Sequence, residues 1–150
     1  MVFMQLPDVE KARKNGWIES WFAIEVLGGS EEIVVKSLKE HIDKLSKTED
    51  VLVHKTEFHP VQEVKNPPKP LKRGWSQIVN VTLFTRDLYA LVQTVMLYGP
   101  SAIEVLSPPN KQVSAGEIQN IVNTLAGLLH QFAAAGAGGI VITPSGNKCA

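Results

Sequence analysis

Three prolines in five residues, Asn66-Pro67-Pro68-Lys69-Pro70, divide this chain. Each proline lacks the amide hydrogen and fixes φ near about −65°, which excludes the stretch from a helix interior and from a central strand. It must be a loop or an extended arm. Regular structure has to be built on either side of it, and the patterning on both sides is that of a sheet with helices laid on it.

Upstream, residues 21–27 set Phe22, Ile24 and Val26 in alternation with Trp21, Ala23 and Glu25, the period of a strand with one face on a core. Gly28 and Gly29 stop it. Ser30 is a good N-cap, Glu31 and Glu32 suit the positive end of a helix dipole, and Val34, Leu38, Ile42 and Leu45 recur at helical spacing, so a helix is expected to about residue 47. Residues 51–58 read as a second strand, ended by Pro60. Beyond the proline run, Val79, Val81 and Leu83 alternate with Ile78, Asn80 and Thr82, a third strand over 77–83. Thr85 is then expected to cap a helix over 86–98 with a stripe of Leu88, Leu91, Val92, Val95 and Met96, which Gly99-Pro100 terminates. Residues 102–106 make a fourth strand, closed by Pro108-Pro109. The order β-α-β-β-α-β predicts an α+β fold: a four-stranded antiparallel sheet with helices packed on it, ferredoxin-like or a variant.

A long helix follows. Ser114 and Glu117 form a capping box, and Ile118, Ile121, Val122, Leu125, Leu128, Leu129 and Phe132 recur at a/d-like spacing. Such a stripe needs a partner surface, either the second face of the sheet or another subunit, and the expected partner is a second copy, in a dimer or tetramer built through the helix from Ser114 to Phe132. Gly136-Ala137-Gly138-Gly139 lacks the Lys-Ser/Thr of a phosphate loop and reads as a helix C-cap and turn before a short strand over 139–142. The expected organisation is an arm or short helix over 1–16, a core domain over 17–110, a self-association segment over 111–142 and a flexible tail over 143–150.

Composition removes several function classes. Fifteen Lys and Arg balance fifteen Asp and Glu, so any anion binding must come from local segregation of charge. The lone Cys149 excludes an intramolecular disulfide and a cysteine zinc site. The histidines, His41, His54, His59 and His130, are not at metal-ligand spacing, and no nucleophile motif accompanies them. The expectation is a protein with no catalytic residue, no metal and no cofactor. The chain carries no run of about 18 apolar residues and no signal-peptide pattern, which predicts no membrane partner and a cytoplasmic location.

What remains is the basic loop. Phe58, Lys65, Lys69, Lys72, Arg73 and Trp75 are expected at one end of the sheet, where flat rings beside cations suit a polyanion carrying bases. Lys55 and Arg86 are expected to add backbone contacts, and Trp21 a further stacking face. Glu25 and Glu104 fall in the outward phase of their strands, which places the expected surface away from the open side of the sheet. Across residues 17–142, the segments WFAIEVLGGSEE, KPLKRGWSQIVNV, YGPSAIEVLSPPN and VSAGEIQNIVNTLAGLLHQFA resemble the archaeal ThermoDBP-related proteins. That resemblance implies sequence-tolerant binding of single-stranded DNA in a cleft mixing basic and aromatic side chains, together with self-association. Single-stranded RNA fits the same residues. The rival reading is a ferredoxin-like module that senses a small ligand, with the turn at Gly28, Gly29 and Ser30 offering backbone amides to an anion.

Overall fold

A computed structural model describes residues 6–136, 141–142 and 148–149. Residues 1–111 form one compact unit and residues 112–150 a second. In the first unit the chain runs α1 (Leu6–Lys14), β1 (Ile18–Gly28), α2 (Glu31–Ser46), β2 (Val51–Phe58), β3 (Gln62–Val64), β4 (Gly74–Thr85), α3 (Leu88–Tyr98) and β5 (Ala102–Ser107). The sheet order is β2-β4-β1-β5, every pairing antiparallel, with β3 added to the start of β4. This is the strand order of a ferredoxin-like fold, enlarged by one short strand and one N-terminal helix.

The alternation in the sequence decides which side of the sheet is covered. Phe22 and Ile24 of β1, Val79, Val81 and Leu83 of β4, and Val51 and Val53 of β2 join Leu38, Ile42 and Leu45 of α2 and Leu91 of α3 in one core. Each such side chain stabilises the fold by roughly 1.5–3 kcal/mol through removal from water. His41 and Tyr98 tie the two helices together, since His41 Nε2 lies 3.0 Å from the Tyr98 carbonyl oxygen and the two rings meet edge to face.

On the other side, Val9 and Ala12 of α1 bury Leu52, Phe84 and part of Trp17 in a second, smaller cluster. The N-terminal segment is therefore a packed helix, and it covers one end of the face that α2 and α3 leave bare. Arg13 pins it there: its Nη2 lies 3.2 Å from Oε2 of Glu19, a carboxylate only 12% exposed, and its guanidinium sits 5.5 Å from the centre of the Phe84 ring.

In the second unit, α4 (Ala115–Ala134) begins with the Ser114 side chain accepting from the Glu117 amide, as the capping box predicts. Gly136 follows it with φ +72°, the left-handed conformation that ends helices. None of its residues is buried, and Ile118, Val122, Leu125, Leu129 and Phe132 are all exposed. Val141–Ile142 pairs with Lys148–Cys149; most of the segment expected to be a tail lies outside the described residues, as do Ala137, Gly138 and Gly139.

One expectation is corrected here. Thr85 does not cap α3; it is the last residue of β4, wholly buried, and its hydroxyl has no partner. Asp87 is the cap, with its Oδ1 accepting from the Ala90 amide at 2.8 Å. The strand runs past the point where its apolar alternation stops because β1 and β2 both pair with it to the end. Asp87→Ala should therefore cost about 1 kcal/mol in urea unfolding. Thr85→Val should be neutral or stabilising, since it removes a buried hydroxyl with nothing to bond.

Candidate functional site

Antiparallel register places residues in rows across the sheet, and residues directly opposite share a face. On the side away from α2 and α3, the row beyond the end covered by α1 contains Glu104, Trp21, Thr82 and Lys55, from β5 through β1 and β4 to β2. The next row contains Ala102, Ala23, Asn80 and Glu57. Further along come Glu25 with Ile78, then Leu27, Ser76 and Gln62. The central strand thus offers a neutral floor of Thr82, Asn80, Ile78 and Ser76.

Lys55 reaches this face through a register shift. Val51 and Val53 point to the core, and strict alternation would send Lys55 after them. A bulge between Val53 and Lys55 inserts His54 as an unpaired residue, and Lys55 then stands opposite Thr82 on the open side. Trp21, His54, Lys55, Glu57, Asn80 and Thr82 together line an open depression of about 670 Å³.

The basic loop closes the far end of the same face. Pro67 packs against Gly74, which is in the open-side phase with Leu27, and a Cβ on Gly74 would lie 2.8 Å from that of Pro67. Glycine is required there by the close approach. Leu71 approaches Gly29, its Cδ2 3.4 Å from where a Cβ would stand, while Gly29 itself stays exposed. The result is a groove floored by β1 and β4, walled at one end by α1 and at the other by a cationic loop. From Thr82 to Ser76 the floor extends about 20 Å at the rise of a strand.

The structure brings some of the expected residues together and separates others. Trp21 and Lys55 share the depression, and Lys65, Lys69 and Lys72 are exposed on the loop with no carboxylate bonded to any of them among the described residues. Phe58 stands opposite Val79 and Trp75 shares its phase with Gln77, so both belong to the helix side of the sheet. Arg73 is engaged internally: its Nε and Nη2 lie 3.1 and 3.0 Å from Oε1 of Glu63, and its guanidinium is 4.7 Å from the Trp75 ring centre. Arg86 lies at the opposite end of β4, where it pairs with Asp50 at 3.5 Å. The single rim expected from the sequence is therefore divided, because the bulge and the Glu63–Arg73 pair are set by tertiary contacts. His54, Asn80 and Thr82 are the residues sequence reasoning passed over. Only the outward phase of Asn80 and Thr82 hinted at them.

His54 sits where charge is unwelcome. Burial, and then the cations of Lys55 and Arg13, lower its pKa below the usual 6.5, with Glu19 opposing. Asn80 is held by His59, with Nδ2 and Nε2 2.8 Å apart. Among the described residues, no group of three or more His, Cys, Asp or Glu is placed to hold a metal ion, and no helix is long and apolar enough to cross a membrane.

An α+β domain of ferredoxin-like strand order, with one sheet face left as a groove, is the class that these elements define. Residues 19–145 match the model of the MJ0538 family, which is most of the chain, and the protein belongs to that family. Comparison with curated proteins and with solved structures gave no match.

The lowered pKa of His54 fixes the sign of a pH effect. As pH falls through 6.5 the unfolded chain takes up this proton before the folded chain does, so stability is lost on the acid side of that value. His54→Gln should remove that share of the loss. Relative to the native chain, its urea midpoint should rise as pH is lowered from 7.5 toward 5.5, read as a double-difference between the two proteins.

Proposed function

We propose that this protein binds single-stranded nucleic acid, DNA foremost, without catalysis and with little overall sequence preference, in the groove on the open side of its sheet. The observation that carries this reading is the row of Trp21, Thr82 and Lys55 in one uncovered depression. A base stacked on the indole leaves its phosphate near the lysine, and such stacking is worth about 1–3 kcal/mol per base. Lys65, Lys69 and Lys72 extend the cationic path to the far end of the groove, in a segment with no acidic residue between Glu63 and Asp87. This local excess answers the zero net charge of the whole chain. Glu25, Glu57 and Glu104 face the same side, which favours a strand whose bases lie toward the floor and whose phosphates keep to the lysines. Phe58 and Trp75 are left to the margin, and Arg73 serves by holding the loop. The resemblance to the ThermoDBP-related proteins points the same way. A cytoplasmic setting accords with this ligand.

Self-association belongs to the same proposal. In α4, Ile118, Ile121, Leu125, Leu128 and Phe132 follow the three-four spacing of a coiled-coil seam, and Glu117 is its only Asp, Glu, Lys or Arg. A second copy of the helix is the partner that such a seam fits. Joining two or more grooves raises the apparent affinity for a long strand through effective concentration.

Titration with mixed-sequence single-stranded DNA over a range of salt tests the first part. With Lys55, Lys65, Lys69 and Lys72 engaged, log K should fall against log salt with a slope of about −3, and changing Lys65, Lys69 and Lys72 to Ala should bring it to about −1. Absent or salt-insensitive binding contradicts the proposal, and a rise in Tm on adding a metabolite instead would favour the sensing module. For the second part, sedimentation should show an oligomer that Leu125→Asp converts to monomer with the circular dichroism of the sheet unit unchanged. A native chain that sediments as a monomer contradicts self-association.

A further inference from the structure

Asn80 stands one row along from Trp21, opposite Ala23 on β1 and Glu57 on β2. Diagonal neighbours in a sheet are about 7–8 Å apart, within reach of a base that is stacked on the indole. The amide is not free to turn. Its Nδ2 lies 2.8 Å from Nε2 of His59, and since an amide nitrogen only donates, the ring nitrogen accepts. His59 is fixed in turn on both sides of its backbone: its N–H donates to the Ile78 carbonyl at 2.9 Å, and its carbonyl accepts from Nε2 of the buried Gln77 at 3.0 Å.

One of the two Nδ2 hydrogens goes to His59, and that bond sets which way the amide faces, so Asn80 presents Oδ1 together with its one remaining N–H. No described group donates to that oxygen, and it is not among the buried polar atoms. Glu57, exposed and directly opposite, adds a carboxylate to the same lining. This row therefore offers two acceptor groups, the Asn80 amide oxygen and the Glu57 carboxylate, against one remaining N–H, one step from a stacking platform. Carboxylate and amide oxygens are the groups that take the exocyclic amines of cytosine and adenine. Thymine turns two carbonyl oxygens toward such a row, flanking its one N–H.

We propose that Asn80, positioned by His59 and assisted by Glu57, reads the base on Trp21 and gives the groove a local preference for cytosine or adenine over thymine. This inference rests on the single-strand reading above and makes it more specific. Asn80 is the contact residue; His59 acts through it.

Fluorescence anisotropy with labelled cytosine and thymine strands of equal length, at neutral pH, tests it. The cytosine strand should bind about five- to tenfold more tightly, the lower part of what a good base contact supplies. Asn80→Leu should bring the ratio of the two affinities to about one. His59→Ala, which frees the amide to turn, should lower the ratio, with circular dichroism confirming the fold of each variant. Equal affinities in the native chain, or a ratio that survives Asn80→Leu, overturns the base reading and leaves single-strand binding standing. Failure to bind either strand overturns both.

Discussion

The pairing of β1 with β4 along the whole eleven-residue length of β1 is the constraint on which everything else depends. Because side chains alternate, this one register decides at once that Phe22, Ile24, Val79, Val81 and Leu83 meet α2 and α3, and that Trp21, Ala23, Ile78, Asn80 and Thr82 do not. A slip of one residue would exchange the two sets, exposing the core and burying the polar floor. The wholly buried Phe22 and Val81, directly opposite one another, hold the register energetically. The groove is thus a by-product of the same alternation that builds the core.

What makes that bare face a groove, and not a flat sheet, is packing at its two ends. At one, Val9 and Ala12 seal Leu52 and Phe84 under α1, with the partly buried Arg13–Glu19 pair setting the helix in place. At the other, Pro67 and Leu71 fasten the proline-rich loop to Gly74 and Gly29. The loop's lysines are consequently held at a defined place. Arg73 takes part in that fastening, since its pairing with Glu63 and its stacking on Trp75 join β3, the loop and β4. A cation that looks like a ligand contact in the sequence is here a structural clamp.

Most of the framework was legible because it rests on local periodicity. The strand over Val51–Phe58, the inward phases of β1 and β4 and the caps at Ser30 and Ser114 follow from neighbouring residues alone. The candidate site was legible only in part. Nothing in the sequence around His54 marks the bulge that carries Lys55 to the open side, since its presence depends on how β2 meets β4. The three-residue β3 has too little pattern to announce itself, and with it the Glu63 partner of Arg73 was missed. Arg86 was grouped with the loop by residue type, whereas the length of β4 keeps it at the far end with Asp50. The outward carboxylates Glu25 and Glu104 argued against the open face. Their rows show an uncharged central strand between them and the lysines of β2 and the loop.

The central claim is that a single strand lies along the floor of β1 and β4. Backbone amide chemical shifts, recorded while mixed-sequence single-stranded DNA is added, test it residue by residue. The account predicts shifts at Trp21, Lys55, Asn80, Thr82 and the loop lysines, with Leu38 and Ile42 of α2 unmoved. Shifts confined to α2 and α3, or none at saturating DNA, would contradict it.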